Sequence, residues 1–243
     1  MRASDLLGAA VLDRRGTELG HVHDLILLQD GPPIGPVGAA FRLRALLFGA
    51  PAVGVRLGFA RRDVRGPWPL RALFSALHDR MLIATWPEVV AIEEGQIRLS
   101  VPEDDVRHRL DLEPQPGRLV DAGLELLDRQ MLDPEGRMAG NVDDLELTLP
   151  PEGGPPVVSA ILAGPGALSR RIGGRLGNAI ASLHERLQEC DIEGPARISF
   201  GVVASIGSDV RLTVSRQDLE INRFERWVRD TIIAKIPGSE TKA

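Results

Sequence analysis

Val11–Leu27 and Met131–Leu147 carry one pattern twice. Leu12, Asp13, Gly16, Gly20, Val22, Asp24, Leu25 and Leu27 all recur 120 residues later, so eight of seventeen aligned positions are identical. Ordinary residue usage gives about one such match by chance. A chain with an internal copy of this kind builds one architecture twice from small units.

The correspondence continues beyond this signature. Leu43–Gly49 answers Val158–Gly164, Ala76–Arg80 answers Ser182–Arg186, and Val89-Val90 with Ile97–Val101 answers Val202-Val203 with Val210–Val214. The offset drifts from 120 to 106 and then 113, as when two similar folds differ in loop length. The reading is a first domain over 1–102, a linker over 103–117 and a second domain over 118–217. A C-terminal helix over 218–237 and a disordered tail over 238–243 follow. Apolar residues make up 43% of the chain, enough to give each unit a core without a metal or disulfide.

Each copy opens with a hairpin. The apolar runs Ala10–Asp13 and Gln130–Asp133 stop at an aspartate, and Gly16 and Gly136 stand where a tight turn needs positive φ. His21–Leu27 then alternates, with Val22 on one face and His21, His23 and Leu25 on the other; Asn141–Leu147 repeats this. More continuously apolar strands follow at 41–48 and 157–163. Helical stripes come next: Leu70, Leu73, Phe74, Leu77 and Met81 after Pro67-Trp68-Pro69, and Ile172, Leu176, Ile180, Leu183 and Leu187. Each copy ends in a second hairpin, 88–101 around Glu94-Gly95 and 201–214 around Gly207-Ser208-Asp209. Closing such short strands removes exposed edges, so the expected fold is mainly β with helical inserts (α+β), built as two tandem small β-barrels.

A net charge of −5 disfavours a broad phosphate-binding face, although Arg56, Arg61, Arg62 and Arg65 form a local basic group. Nucleic acid is therefore not the expected partner, and these arginines are read as solvating a loop or pairing with carboxylates. The start, Met1-Arg2-Ala3-Ser4-Asp5, lacks the apolar core of a secretory signal, and the longest uncharged stretch, 153–169, is broken by prolines and glycines. A cytoplasmic protein without membrane insertion is expected, at most peripheral to the inner face of the membrane. Cys190 is alone, so it forms no internal disulfide and is read as a half-buried small residue.

The twin acids Asp13, Asp24, Asp133 and Asp144 are the first candidates for chemistry, since paired carboxylates perform acid–base work when a cleft separates their pKa values. Their repetition favours a structural role: an aspartate at a hairpin accepts backbone N–H bonds, which accounts for Asp13 and Asp133 without a reaction. His21 and His23 share a strand face and could chelate zinc or copper, yet the other copy holds Asn141 and Asp143 there, and no further ligand spacing completes a set. The glycines of Ile172-Gly173-Gly174-Arg175-Leu176-Gly177 lack the preceding strand of a dinucleotide site. No catalytic residue, cofactor or metal is assigned, and the chain is read as a non-enzyme.

Arg2-Ala3-Ser4-Asp5-Leu6-Leu7-Gly8, followed by Asp13, Gly16, Gly20, Val22, Asp24 and Leu25, resembles the start of a PRC-barrel domain. That family includes the cytoplasmic part of the photosynthetic reaction-centre H subunit and the C-terminal domain of a ribosome maturation factor. The second copy keeps Asp133, Gly136, Gly140, Val142, Asp144 and Leu145 but has Leu124-Glu125-Leu126-Leu127 in place of the opening motif. The resemblance covers the opening of each copy and not the helical inserts. It implies small barrels used as docking modules at membrane complexes or on ribosome-assembly proteins, with no shared catalytic residues.

The C-terminal stretch from Leu219 to Ile236 reads as an amphipathic helix with Asp218 near its start and Pro237-Gly238 after its end. Its stripe of Ile221, Phe224, Trp227, Val228, Thr231 and Ile232 packs on the chain's own barrels or serves as a contact for a protein partner or a second copy. With Trp68, the residues Phe224, Trp227, Val228 and Ile232 are the candidate partner-binding side chains. The expected function is that of a non-catalytic adaptor or assembly module, with a membrane-associated complex as one kind of partner. The rivals are an RNA-processing or ribosome-assembly factor using the arginine group, and a metal-binding protein using His21 and His23.

Overall fold

The computed structural model describes residues 1–49, 81–108, 112–164 and 195–219. Trp68, Cys190, the arginine group, both predicted insert helices except Met81, and the C-terminal helix beyond Leu219 lie outside the described residues. The described chain is mostly β. Its strands are β1 (Ala10–Leu12), β2 (Glu18–Gly35), β3 (Gly38–Gly49), β4 (Leu82–Thr85), β5 (Val89–Glu93), β6 (Gln96–Leu99) and β7 (Arg107–His108) in the first half. The second half holds β8 (Arg118–Asp121), β9 (Gln130–Leu132), β10 (Met138–Asn141), β11 (Asp144–Thr148), β12 (Val157–Ala163), β13 (Ala196–Ser199), β14 (Val203–Ile206) and β15 (Val210–Leu212). One-turn helices α1 (Ala3–Leu6) and α2 (Ala122–Glu125) precede β1 and β9. Among the described residues no helix is long and apolar enough to cross a membrane.

Strand register pairs the same positions in both halves. β1 runs antiparallel to β2 and parallel to β6, with Val11 opposite Ile97; β9 runs antiparallel to β10 and parallel to β15, with Met131 opposite Val210. Leu25 faces Leu46 and Leu27 faces Leu43, with a bulge between Ile26 and Leu27. In the other half Leu145 faces Ile161 and Leu147 faces Val158, with a bulge between Glu146 and Leu147. A bulge shifts one strand by a single residue, so its recurrence at the same position marks the same local backbone twist in each half.

Each half lends its first residues to the other. β8 pairs with β2, setting Asp121 against Ile26 and Val120 against Leu27. At the corresponding place Arg2 bridges to Glu146, while the Met1 amino group and the Leu147 N–H donate to each other's carbonyl, at 3.0 and 2.8 Å. Val157 of β12 pairs with Arg42 of β3 and joins the halves in one 11-stranded sheet; β10, β9, β15 and β14 form a second, four-stranded sheet. Among the described residues these sheets are open, and the expected closed barrels are not found. The physical reason is that β2, β3 and β11 spend on the other half the edges that closure within one half requires. The segment read as a linker holds a 3-10 turn at Glu103–Asp105 and β7, which pairs with β4.

A continuous apolar cluster contains residues of both halves, among them Leu25, Phe41, Phe48, Leu145, Ile161 and Phe200, all fully buried. Phe41 and Phe200 meet edge to face at 5.8 Å. The alternation expected for His21–Leu27 breaks at His23, where β2 carries an extra residue between the Val22–Phe48 and Asp24–Leu47 pairs. Beyond that bulge both faces of β2 are covered, and Asp24 to Leu28 are all buried. Leu25, assigned by strict alternation to the side of His21 and His23, is consequently in the core.

Candidate functional site

The two hairpin acids are built into turns. Asp13 Oδ1 accepts the N–H of Arg15 and of Thr17, both at 2.8 Å, and Oδ2 accepts the Glu103 N–H at 3.3 Å. Asp133 repeats the set: Oδ1 accepts Glu135 and Arg137 N–H at 3.1 and 2.8 Å, and Oδ2 accepts the Arg216 N–H at 3.3 Å. The distal donors belong to the 3-10 turns Glu103–Asp105 and Arg216–Asp218, so each acid ties the first turn of its half to the end of that half. Burial pushes both carboxyls up, but the backbone N–H groups outweigh it, and Asp133 gains the Arg137 guanidinium as well. Both carboxyls end below the ordinary aspartate range, which keeps them ionised and acceptor-only.

Asp24 and Asp144 do a different job. Each begins the stretch that receives the other half's opening. Asp24 Oδ1 accepts the Leu25 N–H and, across the halves, the Gly123 N–H, both at 2.7 Å. Asp144 Oδ1 accepts the Leu145 N–H at 2.8 Å and the Ser4 N–H at 3.0 Å, and Oδ2 accepts the Ser4 hydroxyl at 2.5 Å. Ser4 and Gly123 sit in α1 and α2, so each acid caps the one-turn helix of the opposite half. Burial pushes the Asp144 carboxyl above its usual range, against the bonds from Ser4 and Leu145 and the charge of Arg2. A Cβ at Gly123 would lie 3.1 Å from Asp24 Oδ1, so that approach leaves little room for a side chain.

The shared glycines Gly16, Gly20, Gly136 and Gly140 all have positive φ, at 85°, 127°, 77° and 100°. At Gly20 space is closed as well, since a Cβ there would stand 2.2 Å from the Gly49 carbonyl oxygen. His21 is half-buried in β2; its Nδ1 is buried without a hydrogen bond and lies 3.7 Å from Glu18 Oε1. His23 occupies the bulge, and its counterpart Asp143 accepts the Gly164 N–H at 2.6 Å. Among the described residues no group of three or more His, Cys, Asp or Glu side chains is placed to hold a metal ion.

The four twin acids do not converge on one another; each is surrounded by N–H donors. This arrangement holds turns and joins halves. Ser4, Gly123, Glu103 and Arg216 complete it; Ser4 stood in the opening motif without a role, and the other three were not singled out from the sequence. Thr85 and Glu88 were also missed: the Glu88 carboxylate accepts the Thr85 N–H and hydroxyl at 2.6 and 2.9 Å and pairs with Arg107 at 2.9 Å. Set against known proteins, the chain matches no protein-family model and no curated protein.

Proposed function

We propose that this protein is a non-catalytic docking module, a tandem arrangement of PRC-barrel-like units whose surfaces bind a protein partner. The observation that carries this reading is the use made of the acids. Asp13, Asp24, Asp133 and Asp144 recur at one offset, and each is engaged by backbone N–H groups of its own turn and of a distant element. Carboxylates placed in this way serve as rigid acceptors in a scaffold, and a rigid scaffold presents loops and edges to a partner at low ordering cost.

The test is purification of the full chain from its native cell after mild crosslinking, with mass identification of its neighbours. The expected result is a stoichiometric protein neighbour that survives nuclease treatment. Loss of all neighbours on nuclease treatment, or retention only while Arg56, Arg61, Arg62 and Arg65 are intact, supports the RNA reading instead. A stoichiometric metal ion in protein purified without tag or chelator supports the metal-binding one.

A further inference from the structure

The two halves present the same edge in different states. In the second half the 3-10 turn Phe200–Val202 leads into β14, which carries a bulge between Val203 and Ser205. In the first half the 3-10 turn Trp86–Glu88 leads into β5, with a bulge between Val89 and Ala91. The Thr213 N–H bonds to the Val202 carbonyl and the Ser100 N–H to the Glu88 carbonyl, each at 2.8 Å. By antiparallel geometry, Val203 and Val89 therefore both turn their carbonyls outward from their hairpins, and strand register makes Val89 the counterpart of Val203, one residue away from the Val89–Val202 match read in the sequence.

The Val203 carbonyl is covered. The tip of the long β2–β3 hairpin reaches across, and the Val37 N–H donates to it at 3.1 Å. Gly35 packs so tightly there that a Cβ would lie 2.3 Å from the Gly201 carbonyl oxygen. Arg118 Nη1 seals the far end of the edge by donating to the Ile206 carbonyl at 3.1 Å. Val203 is fully buried and Ile206 is 9% exposed.

On β5, among the described residues, no N–H from outside its own hairpin reaches the Val89 carbonyl. Val90 is 61% exposed and Ile92, the counterpart of Ile206, 37% exposed. Glu93 and Glu94 follow, both exposed and without an ion pair among the described residues. The second half's own hairpin is shorter, with β11 ending at Thr148 and β12 starting at Val157, and no hydrogen bond joins it to β5 among the described residues.

We propose that the β5 edge, Val89–Glu93, binds a partner protein through an extended proline- and glycine-bearing segment carrying an apolar residue and a neighbouring basic side chain. This is the chemistry that Ile34–Val37 and Arg118 supply to the corresponding edge of β14. The acidic pair Glu93-Glu94 selects the basic group, and the Val89 carbonyl takes a backbone N–H by strand addition. The inference rests on the docking reading and adds to it the place and the chemistry of the partner.

The experiment uses the isotopically labelled full chain and a synthetic peptide with the sequence of residues 30–38 extended by one arginine. Saturable amide shifts are expected at Val89–Glu93, with Val203–Ile206 unmoved. Ile92→Glu weakens binding by about tenfold or more. Glu93→Lys with Glu94→Lys, on exposed positions that leave the fold intact, weakens the arginine-bearing peptide and leaves a neutral version unaffected. The proposal is overturned by absence of shifts, by shifts that persist in Ile92→Glu, or by Val89–Glu93 amides already protected from exchange in the free chain. It is equally overturned by concentration-dependent self-association that Ile92→Glu abolishes, which makes a second copy the occupant. If Ile92→Glu still captures the native neighbour, the docking reading stands and this edge is wrong; if wild type captures none, the docking reading itself fails.

Discussion

At the scale of single residues, the twin acids separate by how far their donors lie. The Asp13 turn was legible in the sequence because Asp13, Arg15, Gly16 and Thr17 are close neighbours. The role of Asp144 was not, because Ser4 is 140 residues away and no local pattern records that distance. Their pH behaviour should also differ. Asp144 has a raised folded pKa, so its contribution to stability is complete below about 3.9, the ordinary aspartate value, and is lost as pH rises through the folded pKa. Asp13 and Asp133 have depressed folded pKa values, so their contribution is present above that ordinary value and is lost as pH falls through the folded ones.

Asp144→Asn keeps an oxygen for the Ser4 and Leu145 N–H groups and removes the buried charge. We expect it to be nearly neutral at pH 7 and to abolish the part of the stability gain that wild type shows on acidification, measured by urea unfolding across pH. Asp144→Ala strands those N–H groups and should cost about 1–3 kcal/mol. Asp13→Asn loses the acceptor for the Glu103 N–H, so at neutral pH it should destabilise more than Asp144→Asn. Gly20→Ala sets a methyl against the Gly49 backbone at positive φ and should cost about 2 kcal/mol or more in the same assay.

Among elements, the hairpins were readable and their partners were not. Alternation and turn residues locate β1, β2, β5 and β6 because those signals are local, whereas the pairing of β8 with β2 brings together Asp121 and Ile26. The capping pattern Thr85-x-x-Glu88 was in plain view and marks the 3-10 turn before β5. The length difference between the β2–β3 and β11–β12 hairpins was hidden, since Pro32-Pro33 and Pro150-Pro151 look alike as turn signals while, among the described residues, the tip of the first hairpin reaches β14 and the second has no matching bond to β5. Gly35→Ala should lift that hairpin tip from Gly201, seen as faster amide exchange at Val37 and greater exposure of Ile206. Phe41→Ala removes the ring that meets Phe200 and should cost about 3–5 kcal/mol in chemical unfolding.

For the whole molecule, separate compact units were the natural reading of a duplicated sequence, but periodicity within each unit says nothing about which edges the units share. With one apolar cluster spanning both halves and crossed openings at Asp24 and Asp144, unfolding should be a single cooperative event over the described residues. Native-state hydrogen exchange should show the slowest amides of β3 and β12 opening with the same free energy, and Phe41→Ala should lower both equally. Two separate opening free energies, with only the β3 amides responding, would count against this.

The crossed openings also bear on symmetry. A chain holding a single unit would have nowhere within itself to seat its first six residues, because the stretch that receives them belongs to the other unit. Two such chains about a dyad satisfy both needs at once, in the isologous manner of symmetric dimers. On that geometry, the crossed openings are the contact that a symmetric pair of single units would make, and one chain that holds both units is free to let its two hairpins differ in length.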